Sequence, residues 1–120
     1  MNGDGFGDLA VVTRGVTTTV PVPGRTPMDG RVDIFFGGLD GDTTPDVTVG
    51  AGPADEAARG FAATDVDGDT RPDLIVGRWV TDSNGTGEVA IFPSSGGYAA
   101  PSVILSGSTP GDSFGAKIAR

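Results

Sequence analysis

Asp65, Asp67, Asp69 and Asp73 fall at positions 1, 3, 5 and 9 of one loop, Asp65-Val66-Asp67-Gly68-Asp69-Thr70-Arg71-Pro72-Asp73, which runs at once into Leu74-Ile75-Val76. The alternating spacing aims successive side-chain oxygens at one point, and the Arg71 carbonyl at position 7 can complete the ring. A hard divalent cation such as Ca²⁺ takes this donor set: several oxygens, negatively charged, in a geometry that need not be rigid. The electrostatics give the loop its purpose. Carboxylates gathered this closely repel one another until a cation bridges them. The plainer reading is an acidic turn that leads into a strand. Position 6, where such loops require a positive φ, is Thr70, and a β-branched residue is strained there.

The first nine positions copy those of an EF-hand loop, but Val76 stands where the closing bidentate Glu should be. A β-branched run follows in place of an amphipathic helix, so the loop feeds a strand. The pattern occurs again. Asn2-Gly3-Asp4-Gly5-Phe6-Gly7-Asp8 aligns with Asp67 to Asp73, and Leu9-Ala10-Val11-Val12 with Leu74 to Gly77. Asn2, Asp4, the Phe6 carbonyl and Asp8 make a second, incomplete site. Its first ligand position would precede Met1, whereas Gly5 suits position 6. Asp40-Gly41-Asp42-Thr43-Thr44-Pro45-Asp46 also matches, but its register puts it in a link between two strands, where a turn is the simpler expectation. Downstream, Arg31–Phe35 matches Glu88–Phe92, and Pro45–Val49 matches Pro101–Leu105. Two similar units in one short chain signal a repeat architecture.

The elements that must position these loops are strands. At 120 residues the chain is one domain or a piece of one. Its 21 Gly and 9 Pro punctuate short β-branched bursts, the pattern of an all-β protein with many turns. Strands are expected at Leu9–Val12, Val32–Phe36, Val47–Val49, Gly60–Ala63, Leu74–Val76, Val89–Phe92, Val103–Leu105 and Phe114–Ala119. Several are continuous apolar runs, which suit strands covered on both faces. Ala54–Arg59 is too short for an isolated helix and reads as a turn leading into a strand.

Composition excludes whole classes of chemistry. The chain has no Cys, so disulfides and thiolate metal sites are out. It has no His, which removes His-ligated zinc and the common His-based acid–base machinery, and the chain is expected not to be an enzyme. The net charge of −8 argues against nucleic acid as a partner and fits cation binding. No apolar stretch approaches the length of a membrane span. Met1 runs straight into the first loop with no signal peptide.

The Asp-rich loop, the Asp-Leu that follows it, the Val-x-Ile-Phe strand and the Phe-Gly of Gly111-Asp112-Ser113-Phe114-Gly115-Ala116 together resemble the FG-GAP (VCBS-type) repeat. Such repeats form the blades of integrin α-subunit-like β-propellers. Ala54 to Ala62 is similar to a worn Phe-Gly segment, with Ala57-Ala58 in its place. The resemblance implies four-stranded antiparallel blades with Ca²⁺ bound between the first two strands. It divides the chain into a blade lacking its first strand (2–53), a complete blade (54–110) and the first strand of a following blade (111–120). A propeller needs about 4–8 blades, so the expectation is either a fragment of a longer propeller or a protomer of a head-to-tail homo-oligomer. The implied role is an extracellular or cell-surface binding or adhesion scaffold with Ca²⁺ as structural ion and an unidentified protein or glycan ligand. A carbohydrate-binding lectin and a non-catalytic part of a larger secreted enzyme are the alternatives. Trp79 and Tyr98 are read as packing aromatics, with sugar stacking as the alternative. Asn84-Gly85-Thr86 is a glycosylation sequon by pattern. The Thr- and Pro-rich loop Arg14 to Asp29 is either a binding loop or a tolerated insertion.

Overall fold

The computed structural model describes residues 1–13, 30–39, 43–50, 56–79, 86–111 and 113–119. The loop 14–29, Asp40 to Asp42, Ala54 and Asp55, Asn84 and Gly85, Asp112, Arg120 and the side chain of Trp79 lie outside the described residues. The described chain is all-β, with no α-helix and one short 3₁₀ turn. Seven strands run in order: β1 (Leu9–Thr13), β2 (Arg31–Phe35), β3 (Val47–Gly50), β4 (Glu56–Thr64), β5 (Asp73–Trp79), β6 (Glu88–Phe92) and β7 (Val103–Ser106). They form two open antiparallel sheets, β1-β2-β3 and β4-β5-β6-β7. Chain neighbours pair with one another throughout, the simplest way for short β-branched runs joined by Gly- and Pro-rich turns to satisfy their backbone groups.

Register sorts the side chains. Leu9 opposes Phe35 and Ala10 opposes Ile34, while Ile34 opposes Val47. In the second sheet Leu74 opposes Phe92 and Val76 opposes Ala90. Val32, Ile34 and Val49 from the first sheet meet Leu74, Val76 and Phe92 from the second in a single core, with Tyr98 at its edge. Ile34 and Leu74 are fully buried. The two sheets therefore stack face to face, and each leaves its other face outward.

Three expectations are corrected. Glu56 to Arg59 is strand, not turn: β4 starts at Glu56, and Glu56 and Ala57 pair with Trp79 and Arg78 across a bulge before Phe61. Pairing along the whole length of β5 outweighs the local turn chemistry. Phe114–Ala119 is not a strand. Ser113 and Gly115 have φ of 53° and 79°, the Ala116 N–H donates to the Ser113 carbonyl (2.9 Å), and the segment folds over β5 and β6. It comes so close that a methyl at Gly77 would overlap the Gly115 carbonyl, which is why both positions are glycine. Nor are the apolar runs covered on both faces. All four residues of β7 are exposed, and on β1 Leu9 and Val11 are exposed while Ala10, Val12 and Thr13 are half-buried.

Candidate metal centre

The acidic loop lies between β4 and β5, and Asp/Asn side-chain turns build it from within. The Asp67 carboxylate accepts the Asp69 N–H at 3.0 Å, and Asp69 accepts the Arg71 N–H at 2.8 Å. Asp65 accepts from Gly68 and Thr70 at 2.6 and 2.9 Å. Each bond spans only a few residues, so the chain folds back around its own carboxylates, the habit that makes Asx residues turn-formers. Thr70 does adopt the left-handed conformation, with φ 71°, at a cost of roughly 1–2 kcal/mol for a side chain with a Cβ. Its counterpart Gly5, at φ 89°, avoids that cost.

Asp73 anchors the loop to the sheet. It is fully buried at the first position of β5. One carboxylate oxygen accepts the Val66 N–H and the other the Ser94 N–H, both at 2.9 Å. Loop, strand and the turn after β6 therefore meet on one side chain.

Carboxylate oxygens of Asp65, Asp67 and Asp73 all lie within 4.8 Å of one another. Two oxygens on the same Ca²⁺, each at about 2.3–2.6 Å, can be at most about 5 Å apart, so the three are placed to hold a metal ion. Asp69 stands outside this group. Its second oxygen accepts the Ser94 hydroxyl at 2.9 Å. Arg71 is exposed, and its N–H serves Asp69. Ser94 was not foreseen. It is buried and contacts two of the four aspartates. The available signal was its place immediately after the Val-x-Ile-Phe strand and Pro93, within a run of small turn residues.

The first loop repeats part of the bonding of the second. Asn2 accepts from Asp4, and Asp4 from Phe6. One oxygen of Asp8 accepts from Met1 and Asn2, and the other accepts the Gly37 N–H at 2.8 Å. These are the counterparts of the Asp67, Asp69 and Asp73 bonds. The β2–β3 and β6–β7 links also agree: Asp46 N–H donates to the Ile34 carbonyl at 2.9 Å, and Ser102 N–H to the Ile91 carbonyl at 2.8 Å. Asp46 also accepts the Phe36 N–H, which makes it a turn residue of that link. The Asn2 amide also donates to Asp4 at 2.7 Å, a bond that the carboxylate of its counterpart Asp67 cannot donate. The Phe6 N–H, and after it the Asn2 side chain, hold the exposed Asp4 carboxyl below its ordinary pKa. Among the described residues, no group of three acidic side chains converges in this loop.

Tyr98 ties the two units together. It is buried, and its hydroxyl donates to the Pro72 carbonyl (2.9 Å) and lies 3.4 Å from the Met1 carbonyl. Its ring therefore packs and offers no face to a sugar. Burial pushes its phenol pKa up from 10.0, the negative charges of Asp73 and Asp69 add to this, and Arg71 opposes it. A raised folded-state value means that the phenol's contribution to stability is complete below pH 10 and is lost as pH rises through the folded value. Tyr98 is the one tyrosine, so its ultraviolet absorbance reports directly. In excess chelator, its ionisation midpoint is expected above 10 in the folded protein and near 10 in denaturant. Equal midpoints would show that the fold does not hold the phenol neutral.

Comparison with protein-family models, with curated proteins and with solved structures returns no match. No helix among the described residues is long and apolar enough to cross a membrane.

Proposed function

We propose that this chain is a calcium-stabilised repeat module of the FG-GAP/VCBS β-propeller type, acting outside the cell as a binding or adhesion scaffold. The observation that carries the metal reading is the convergence of Asp65, Asp67 and Asp73 oxygens within 4.8 Å, in a loop that Asp73 fastens to the core. Oxygen-only donors favour Ca²⁺ over softer metals. Support for the repeat reading is the set of loop bonds that the two units share, those onto Asp8 and Asp73 above all, and their matching strand register. An ion held by three carboxylates from both ends of the loop removes their mutual repulsion and locks the loop onto β5. The abundance of free Ca²⁺ outside cells supports the extracellular setting, since many extracellular Ca²⁺ sites bind only weakly.

The test is a thermal melt with Ca²⁺ and with excess chelator. An ion at 100 times its Kd that binds only the folded state adds about 2.7 kcal/mol, and the melting temperature should rise accordingly. Asp67→Ala removes one donor from an exposed position and should abolish most of the rise while leaving the chelated protein nearly unchanged. Identical melts in Ca²⁺ and chelator would sink the metal reading.

A further inference from the structure

The two sheets are one unit used twice, and their contact is not symmetric. In the first unit Val32, Ile34 and Val49 point into the core, covered by the second unit. Their counterparts in the second unit, Val89, Ile91 and Leu105, stand on the outward face of its sheet. Conversely, Leu74 and Phe92 of the second unit fill the core, whereas their counterparts Leu9 and Phe35 face outward from the first. Each outward face is thus the equivalent of a face that is already covered inside the chain.

The β4–β7 face is apolar, and the β1–β3 face is mixed, with Leu9, Val11 and Phe35 beside Arg31, Asp33 and Thr48. Leu9 is 59% exposed and Val11 41%, while Val103 and Leu105 are 43% and 47% exposed. Among the described residues, 113–119 cover one end of the second face, over Gly77 and Val89. Beside Leu9 and Val11, Asp33 is bonded by Arg31 and Thr48, each at 2.8 Å, so covering this face would not strand an unpaired charge. Contiguous apolar surface of this kind marks a contact site.

We infer that a second copy of this chain docks its β1–β3 outer face onto the β4–β7 outer face of the first, which repeats between chains the contact the two units make within one. The occupant follows from the internal interface: a second copy brings a surface whose counterpart in the other unit already packs against a face of this kind. The contact is heterologous, so every copy keeps one face of each kind available for the next. The inference rests on the repeat geometry and not on the metal. Mass reads it, while the melt above reads the metal, so the failure of one is distinguishable from the failure of the other.

The experiment is light scattering on the purified chain, with two variants and their mixture. The wild-type chain should exceed its monomer mass of 12.0 kDa at least about twofold at micromolar concentration. Leu9→Glu blocks one face and Leu105→Glu the other, and each alone should run as a monomer. Mixed, they should form a dimer, because each retains the face that the other's intact face requires. Circular dichroism confirms that the variants fold, and Val11→Glu and Val103→Glu replace either one that does not. A monomeric wild type, variants that keep the wild-type mass, or a mixture that stays monomeric would each overturn the inference.

Discussion

Alanine at position 73 is expected to lower the stability of the chelated protein by about 3 kcal/mol, since the loss of a charged acceptor leaves buried donors unsatisfied at roughly 1–3 kcal/mol each. Asp73 is fully buried, and its two oxygens hold the Val66 and Ser94 N–H groups from opposite sides of β5. For a domain of this size, 1 kcal/mol moves the melting temperature by roughly 4–8 °C, so the loss should be plain in a melt as well as in urea. The same substitution removes a carboxylate from the convergent group, so the response to Ca²⁺ should vanish with it. Asp73→Asn keeps one oxygen acceptor and the volume. It should cost less stability than alanine yet still lose the metal response. An alanine variant as stable as the wild type in chelator would show that the two bonds are not what holds the loop to the sheet.

Leu74→Ala, one residue further along, is expected to cost about 3 kcal/mol, within the 2–5 kcal/mol typical of buried Leu truncations. Leu74 is fully buried at the meeting of the two sheets, where nearby side chains belong to both units and cannot collapse independently into the cavity. Leu39, 90% exposed, is the matched control, and its alanine variant should be within about 0.5 kcal/mol of wild type. Urea unfolding followed by far-ultraviolet circular dichroism checks both. Similar losses at the two positions would contradict the stacking of the sheets through Leu74.

Most of the strand pattern was legible in the sequence. β1, β2, β3, β5, β6 and β7 are β-branched runs bounded by Gly, Pro or Asp, and that combination leaves little local competition. The repeat was legible too, because equivalent turns need equivalent residues: Asp8 and Asp73 each begin by closing their own loop. The beginning of β4 was not legible. Alanine-rich and charged, it carries no strand signal of its own and is strand because β5 continues far enough to pair with it. Phe114–Ala119 shows the opposite failure. Its apolar residues suggested a strand, but Ser113 and Gly115 turn the backbone, and no strand edge among the described residues pairs with it.

The acidic loop divides along the same line. Spacing alone determined that Asp65, Asp67, Asp69 and Asp73 could aim oxygens inward, because local turns of two to five residues are written in the order of the side chains. Which of those oxygens gather was decided only by the tertiary structure. Ser94, far along the chain, arrives beside the loop when β6 pairs with β5, takes an oxygen of Asp69 with its hydroxyl and secures Asp73 with its N–H. A carboxylate oxygen bonds whichever donor stands within about 3 Å, and donors from distant turns reach that distance only after the sheet has formed. The two outward apolar faces have the same origin. Alternation along each strand set which residues share a face, and the stacking of one sheet on the other decided which of those faces was left open.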